Sequence, residues 1–512
     1  MKTGIVNRDL LGLACLLALA TPAHAQAWPV ATSLGSSMPE AASQRSVAGD
    51  AGVEAGGRMA DEASQAVAMP EAAAADAPVI AGAIGDPPAS ADAMPSSEDD
   101  EQDGESAPDP FDIGGDDEAI GSSTRRFTFA HEVSRRVGSD GGIVNSRSSA
   151  RAEYATFFRD SFYARLDAKL NAFWASDHRA RGRSAQTEVV TSEAFFQYSR
   201  QGGSTSLKIG AQKLIWGESE GGAITDEVSP RNFSELFLIP LEESRLGQGM
   251  VVFDYFSRAG DWSVFYVPTP RFNEYPERGT EYHLDPFGDT AIVRDARGGP
   301  RDDEFGMRWR RTFGQSDISL MAARLTDNDH AYRVDGFAPT GEWLVSRLKQ
   351  RLTMIGSTFS LTRGKTLVKG EVALKSSRAF NDAAFGIVER DVVDSAIGLS
   401  YSLGQNNMIG VEWVNSRILG WHPGIVGVPE NVASLVANAT FMFMHDKLSI
   451  NWLTIYSEPY TSYQSSLRSA YKWDDNLSFG LDLHYVDAPD RRSGLRAYRD
   501  KDQVVLRVQY QF

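Results

Sequence analysis

The chain has 512 residues, a formal net charge of −17 and a single cysteine. Cys15 lies in the apolar run of an N-terminal signal, so a processed chain has no thiol for a disulfide, a nucleophile or a metal site. The negative charge is confined to residues 27–124, which hold 20 acids and two arginines, whereas residues 125–512 hold 47 acids and 47 bases. The acidity therefore excludes no substrate class for the folded part.

Residues 1–25 have the pattern of a secretory signal peptide. A basic start is followed by the apolar run Leu10–Ala20, which is too short to span a bilayer, and by the cleavage pattern AHA at 23–25. A lipoprotein signal at Cys15 is the alternative, but Gly12 stands where such a signal needs a large aliphatic residue. We expect export and cleavage after residue 25.

Residues 26–124 are rich in Ala, Gly, Ser, Pro and acids and have no period of 2 or 3.6. Such a composition buries too little apolar area to offset the chain entropy, so it predicts a disordered acidic segment, which we place in the periplasm. We interpret it as a solvated tether. The alternative is an acidic arm that captures a basic partner or divalent cations.

From Arg125 to Phe512, apolar and polar residues alternate in one short segment after another, which predicts β-strands. Clear examples are FYARLDAKLNAFW from Phe162, LSFGLDLHY from Leu477 and the terminal QVVLRVQYQF. In each, apolar side chains share one face and polar or charged side chains share the other. We predict about eighteen strands (16–18), which begin near Arg125, Ala150, Phe162, Val189, Thr205, Gly249, Asp261, Glu304, Ser316, Leu352, Lys365, Val392, Asn407, Val432, Lys447, Tyr463, Asn476 and Gln503.

Short and long connections alternate between these strands. Tight turns such as Arg363-Gly364 alternate with long segments such as Gly217–Gln248, Pro268–Asp303 and Ser376–Asp391. Outer-membrane barrels sort their connections in this way, with short periplasmic turns and long external loops. A closed sheet also leaves no unpaired backbone edge in hydrocarbon. The sequence thus predicts an all-β fold, a closed antiparallel transmembrane β-barrel at 125–512, in the outer membrane of a Gram-negative bacterium.

Aromatic residues at predicted strand ends fit the interfacial girdles of such barrels: Trp174, Trp216, Trp473, Tyr510 and Phe512. The terminal strand that closes on Phe512 also resembles the end signature of bacterial outer-membrane proteins. That resemblance implies that the barrel-assembly machinery is a partner through this strand. The lipid bilayer and lipopolysaccharide are the other partners that we expect for the barrel wall.

Barrels of 16 to 18 strands enclose an aqueous channel, so a water-filled pore is the expected interior. Alternation predicts inward charges of both signs: Arg165, Asp167, Lys169, Lys208, Arg308, Arg310, Lys369, Glu371, Glu412, Arg468, Asp482 and Arg507. Opposite charges on facing walls set up a transverse field that tunes ion selectivity. The alternative is that these charges solvate the lumen and pair across strands.

One predicted connection, KLIWGESEGGAITDEVSPRNFSELFLIPLEESRLG at 213–247, combines acids with an apolar group. Its acids and arginines are Glu218, Glu220, Asp226, Glu227, Arg231, Glu235, Glu242, Glu243 and Arg245, and its apolar anchor is Phe237, Leu238, Ile239 and Leu241. We predict that this loop folds into the lumen as a constriction, with the carboxylates around Arg231 and Arg245. An ordinary external loop is the alternative.

The same stretch resembles a family of proteobacterial outer-membrane barrels of unknown function, which have a W-G-E/D turn, a D-x-V-x-P-x-x-F pattern and a later arginine. The matching residues here are Trp216-Gly217-Glu218, Asp226 to Phe233, and Arg245. More distantly, the chain looks like the eighteen-stranded alginate-export porins. Those line the lumen with an arginine-rich path for a polyanion, whereas inward acids are as evident here as bases.

No enzyme motif is evident. The eight histidines form no HExxH or other close metal pair, and no Walker loop, dinucleotide fingerprint or basic nucleic-acid patch is present. We therefore expect no catalytic residues, cofactor, metal or nucleic acid. The predicted function is a channel that passes small polar or amphipathic solutes, or the outer-membrane pore of an export system with a periplasmic exporter as partner. The alternative is a surface-exposed binding or structural barrel without meaningful conduction.

Overall fold

The structure is a computed structural model that describes residues 123–138, 142–159, 161–200, 203–236, 239, 244–277, 279–283, 291–295, 302–329, 331–383, 385–404 and 406–512. The signal peptide predicted at 1–25 and the acidic segment predicted at 26–124 lie outside these residues, except for Ser123 and Thr124. These two residues begin the first strand, so the strand starts two residues before the predicted boundary.

Eighteen strands form one antiparallel sheet, in which each strand pairs with the barrel strands before and after it. They are β1 (Ser123–Arg136), β2 (Ile143–Phe158), β3 (Phe162–Trp174), β4 (Ala185–Ser199), β5 (Thr205–Gln212), β6 (Gln248–Tyr255), β7 (Asp261–Val267), β9 (Glu304–Phe313), β10 (Ser316–Thr326), β13 (Arg351–Arg363), β14 (Thr366–Asn381), β15 (Ile387–Ser402), β16 (Met408–Ile418), β17 (Asn431–Phe443), β18 (Leu448–Glu458), β19 (Ser462–Lys472), β20 (Leu477–Asp487) and β21 (Gln503–Gln511).

The sheet closes on itself because β1 pairs with β21. At this seam the backbone of Phe127 exchanges hydrogen bonds of 2.9 and 3.0 Å with that of Phe512, and the two rings stack at 5.6 Å. The terminal phenylalanine is therefore part of the joint that removes both sheet edges. The predicted fold class, a closed antiparallel barrel of eighteen strands, is confirmed.

Each predicted strand corresponds to one observed strand, and the differences lie at the ends of the long connections. Strands β2, β4 and β15 begin earlier than predicted, at Ile143, Ala185 and Ile387. Most of the loop predicted at Ser376–Asp391 is strand, since β14 runs to Asn381. These extensions carry polar side chains on both faces, so the apolar alternation that predicts a membrane strand is missing there.

Three further strands lie in connections that were predicted as loops. They are β8 (Ala291–Asp295), β11 (Ala331–Phe337) and β12 (Trp343–Leu348), and they form a separate sheet in which β11 pairs antiparallel and β8 parallel with β12. Two short 3₁₀ helices, His178–Ala180 and Arg496–Tyr498, occupy other connections. Among the described residues, no helix is long and apolar enough to cross a bilayer.

Side chains alternate between the two faces of the barrel wall. On β21, Leu506, Val508 and Tyr510 are exposed on the outside, whereas Val505 is buried and Arg507 half-buried on the inside. The same exposure of large apolar side chains recurs around the barrel. An apolar band of this kind, carried by a closed sheet, is the surface of an outer-membrane protein. The barrel is therefore located in the outer membrane.

The interior is divided into an apolar side and a charged side. Inward residues of β6, β7, β10 and β13–β18 contribute to one apolar cluster, which includes Met250, Phe265, Met354 and Ile455. Inward residues of β19–β21 and β1–β5 are mostly polar or charged. We expected a water-filled interior from the strand number. Only the charged side of the lumen fits that expectation, because the inward apolar residues of the other side are buried beneath a covering element.

Candidate functional site

The covering element is the connection between β5 and β6, which we call the inner segment (residues 213–247). Trp216, Ile224 and Val228 are buried in the apolar cluster of the barrel interior. The Trp216 ring packs edge-on against Phe265, with 5.2 Å between centroids. Trp216 therefore lies inside the lumen at 2% exposure, and its predicted place in an interfacial girdle was wrong.

Glu371 on β14 holds the first turn of the inner segment. Its carboxylate accepts hydrogen bonds from the backbone N–H groups of Glu218 and Ser219. It also accepts from Thr225, at 3.3 Å from the backbone nitrogen and 3.0 Å from Oγ1. Irregular backbone inside a barrel has unpaired donors that need partners, and one buried carboxylate here supplies four acceptor positions.

Glu412 and Lys369 hold the next residues of this turn. Glu412 accepts from the Ser219 hydroxyl and from the backbone N–H groups of Glu220 and Gly221, the latter two at 3.2 and 3.3 Å. Lys369 donates to the Glu218 carbonyl at 2.9 Å and pairs with Glu220 at 2.7 Å. The predicted lumen residues Lys369, Glu371 and Glu412 thus form one polar seat for the inner segment.

The seat also requires glycine at position 221. A Cβ atom on Gly221 would lie 2.5 Å from Val436 Cγ2 and 2.8 Å from Val414 Cγ2, closer than packed carbon atoms come. At Gly217, a Cβ would come within 3.0 Å of the Asp226 side chain. Glycine in the W-G-E turn therefore permits the close approach of the backbone to the barrel wall.

Lys375 on β14 anchors the middle of the inner segment. This side chain is 1% exposed, and it donates to the Ala223 carbonyl at 2.8 Å while pairing with Glu227 and with Asp394 at 2.7 Å. A buried lysine between two carboxylates is stabilised only while both remain in place. Glu227 is therefore an anchor of the inner segment and does not face open water.

Asp226 organises the return of the inner segment towards β6. Its Oδ2 accepts from Arg245 Nε at 2.8 Å and from Arg231 Nη2 at 3.3 Å, and all three side chains are buried. Among the described carboxylates predicted around these two arginines, Asp226 is the one with an ion pair to them. Glu220, Glu227 and Glu235 pair with Lys369, Lys375 and Arg147, whereas Glu218 contacts the wall through its backbone. Glu242, Glu243, Phe237, Leu238 and Leu241 lie outside the described residues.

The opposite, charged wall is built from ion pairs across neighbouring strands. Arg507 lies 2.8 Å from Asp482 and 3.5 Å from Glu132, and Glu132 also pairs with Arg147. The same pattern joins Arg151 to Asp167 at 2.6 Å and Arg165 to Glu193 at 2.7 Å. The pairs correspond to the alternative predicted for these charges, mutual pairing in the lumen.

The other predicted lumen charges also face inward. Arg308 donates to the Ile215 carbonyl at 3.3 Å, and Arg310 lies 3.4 Å from Asp317. Arg468 is buried opposite Asp482 in the register of β19 and β20. Lys169 and Lys208 occupy inward positions on β3 and β5. All twelve predicted residues occupy inward positions: three belong to the seat, seven to the charged wall, and Arg308 and Arg310 to β9.

A cleft lies between the charged wall and Asn232, Ser234, Glu235 and Ile239 of the inner segment, which we call its tip. Its basic residues are Arg147, Arg151, Lys169 and Arg179, and its acids are Glu188 and Glu235. Glu235 at the tip lies 3.0 Å from Arg147 and 3.6 Å from Arg179. This contact joins the inner segment to the wall that faces the seat, so the segment spans the lumen from one side to the other.

The arginines of the cleft are held from behind. The guanidinium of Arg179 lies over the Phe173 ring at 4.6 Å, and its backbone N–H donates to Asp177 at 2.7 Å. Asp177 also accepts from the backbone of Ser146 at 2.8 Å. Burial raises the pKa of Asp177, although both backbone donors and His178 oppose that shift.

External connections cover the tip of the inner segment. Leu236 packs in a second apolar cluster with Tyr282, Val486 and Tyr498, whose hydroxyl donates to the Tyr282 carbonyl at 3.0 Å. Arg136 pairs with Glu281 at 2.5 Å beside this cluster. The contacts place the connection after β7 and the connection before β21 against the charged side of the barrel.

Several residues of the site were absent from the sequence prediction: Glu132, Arg147, Arg151, Arg179, Lys375 and Asp394. Arg147 lies before the predicted start of β2, so its inward direction was not accessible. Lys375 and Glu132 fall on predicted strands, and alternation could have identified both. Ser466 and His484 also meet inside, 2.7 Å apart, but both are buried.

The described residues contain no group of His, Cys, Asp or Glu that could hold a metal ion. A comparison with curated proteins finds no match to the chain. Solved structures with a similar fold include OccAB2 of Acinetobacter baumannii (11% identity, 76% of this chain, 98% of that chain, TM-score 0.45). Another is OccK5 (OpdH) of Pseudomonas aeruginosa (12% identity, 76% of this chain, 98% of that chain, TM-score 0.45). A third is OmpF of Salmonella typhi in complex with daunomycin (10% identity, 77% of this chain, 98% of that chain, TM-score 0.41).

Family membership rests on a match over most of the sequence. Residues 8–445 match the family described as "Protein of unknown function (DUF1302)", a span that includes the W-G-E turn, the Asp226 pattern and Arg245. The predicted resemblance to alginate-export porins stays a prediction. This chain is an eighteen-stranded outer-membrane barrel with an inner segment seated on one wall, and it belongs to the DUF1302 family.

Proposed function

We propose that the protein is an outer-membrane channel for small polar or amphipathic solutes, and that the inner segment is its constriction. The observation that carries this proposal is the division of the lumen into two sides. The inner segment covers the apolar residues of β6, β7, β10 and β13–β18, whereas the wall formed by β19–β21 and β1–β5 keeps its charged side chains towards the remaining space. A path along that wall would be polar over its whole length.

The way in which the inner segment is attached favours a fixed constriction rather than a loosely held loop. Three wall side chains, Glu371, Glu412 and Lys375, bind backbone groups of residues 218–225. A segment so bound stays in place while solutes pass beside it. The size of the passage is then set by the inner segment, and its charge is set by the wall, as in other selective pores.

Conductance of the purified full-length barrel in planar bilayers tests the proposal. We expect an open current that scales with salt concentration, and a larger current when residues 221–241 are deleted. Because the deletion uncovers apolar wall residues, a second variant, Glu371→Gln, should raise the current without removing any backbone. A barrel that is silent in both variants and in the wild type would contradict the channel.

A surface binding or structural barrel is the second candidate, and one observation favours it. The β8–β11–β12 sheet projects from external connections, with Phe337 62% exposed and packed on Trp343 at 4.5 Å. A silent barrel whose external face binds a ligand would support this role. Service as an export pore is a further proposal, in which the exporter would meet the end of the barrel that holds the short turns, Ser123 and Phe512.

A further inference from the structure

Glu235 occupies a place where a solute carboxylate would bind. It is the tip residue of the inner segment and lies between the guanidinium groups of Arg147, at 3.0 Å, and Arg179, at 3.6 Å. The side chains of all three are between 10% and 16% exposed, so they are shielded but still border the cleft. Both guanidinium groups face the same oxygen, Glu235 Oε1, with a charge-assisted hydrogen bond from Arg147 and an ion pair from Arg179.

The two arginines keep their positions by contacts that do not involve Glu235. Phe173 lies beneath both guanidinium groups, at 4.6 Å for Arg179 and 5.9 Å for Arg147. Asp177 fixes the backbone of Arg179, and Glu132 pairs with Arg147. The anion site is thus preorganised by the wall, and the inner segment only delivers the carboxylate that fills it.

The charge of the cleft favours an anion. Its lining holds four bases, Arg147, Arg151, Lys169 and Arg179, but only two acids, Glu188 and Glu235. When a solute carboxylate replaces Glu235, both arginines keep an anionic partner. Arg147 also pairs with Glu132, and Arg179 lies 3.7 Å from Glu188, so a solute carboxylate has to replace only Glu235 and disturbs no other partner of the two arginines.

We propose that Arg147 and Arg179 form a carboxylate-binding station in the passage, and that Glu235 is its tethered occupant, which the carboxylate of a solute displaces. The proposal rests on the proposed channel and adds a substrate class to it, solutes that carry a carboxylate. Glu235 acts as an internal competitor, which keeps the station filled when no solute is present.

The test uses the fragment that a substitution removes. Glu235→Ala takes away a CH₂COO⁻ group, so acetate is the probe, and acetamide is its neutral counterpart. In planar bilayers at constant chloride, we expect acetate to reduce the current of the full-length Glu235→Ala barrel in a saturable manner. Its half-blocking concentration should be at least about tenfold lower than for wild type, because a tethered competitor acts at millimolar or higher effective concentration. Acetamide should have no effect.

Glu193→Ala is the matched control, since Glu193 is also an inward carboxylate but pairs with the single arginine Arg165 at 2.7 Å. We expect the wild-type acetate response in this variant, and no saturable acetate block in Glu235→Ala combined with Arg147→Gln and Arg179→Gln. Equal acetate responses in Glu235→Ala, wild type and the control would overturn the station but leave the channel intact.

A barrel that conducts in no variant would contradict the proposed channel instead, and binding then decides the station. Saturation transfer from the purified Glu235→Ala barrel to the methyl protons of acetate should be seen, and it should vanish when both arginines are replaced. Its absence from Glu235→Ala would contradict the station directly. Heat-modifiable migration in electrophoresis shows whether each variant is folded.

Discussion

Replacement of Glu371 by glutamine should release the first turn of the inner segment. The carboxylate accepts from the backbone N–H groups of Glu218, Ser219 and Thr225 and from the Thr225 hydroxyl. Glutamine keeps one acceptor oxygen and turns the other into a donor, so about two of these four donors lose their partner. At ~1–3 kcal/mol for each buried unsatisfied donor, seating of the turn weakens by about 2–6 kcal/mol.

Hydrogen exchange of peptides that cover 214–228 measures this loss. Since 1.4 kcal/mol is a factor of ten, the smallest expected effect is an exchange rate about thirtyfold faster than in wild type. The current through Glu371→Gln should rise in parallel. Glu153→Gln is the control, because Glu153 also faces the lumen but pairs with Arg126 and Arg151 of the wall. Exchange as slow in Glu371→Gln as in the control would refute the role assigned to this carboxylate.

Three other predictions concern the inner segment and its supports. Gly221→Val should displace the inner segment and raise the conductance, because a Cβ at this position would lie 2.5 Å from Val436. Gly249→Val is the control, since open space surrounds its Cβ and the conductance should stay unchanged. Equal conductances of the two variants would contradict the close approach of Gly221 to the wall. Asp226→Asn should lower the free energy of unfolding by about 3–5 kcal/mol, because it leaves two buried arginines without their carboxylate partner. Unchanged heat-modifiable migration would count against this ion triad. Burial raises the pKa of Asp177, so the folded protein holds this proton more tightly than the unfolded chain does. The free energy of unfolding of wild type, relative to that of Asp177→Asn, should therefore fall as the pH rises from about 4 through the folded pKa. A difference that does not change with pH would be inconsistent with the burial of this group.

Much of the barrel follows from its sequence because lipid imposes a strict alternation on each strand. Alternation located the starts of two strands to within one residue: it predicted Phe162 and Asn476, and the strands begin at Phe162 and Leu477. The same rule fails at Ile143 and Ile387, where strands extend beyond the apolar band and both faces carry polar residues. The β11–β12 hairpin was missed for a related reason, since it does not face lipid and shows no long alternating run.

The interior was less accessible to sequence. Alternation places Glu371 and Glu412 inside, but not against a particular partner. Their partners are backbone groups of a segment about 150 to 190 residues away in sequence, and a backbone N–H has no residue-type signal. The combination of acids with an apolar group at 213–247 identified the segment itself. Which carboxylate meets which cation depends on the strand register, which a single sequence does not specify.

The hydrogen bonds between Phe127 and Phe512 make completion of the cylinder depend on both ends of the barrel sequence at once. One edge of β1 pairs with β2 and the other with β21, so without β21 one side of its backbone has no partner strand. A premature stop codon that removed only β21 would therefore yield a ribbon with two bare margins, a form that cannot rest in hydrocarbon. The last barrel strand is thus as necessary to the membrane-embedded form as the first, although the two strands lie more than 360 residues apart in the chain.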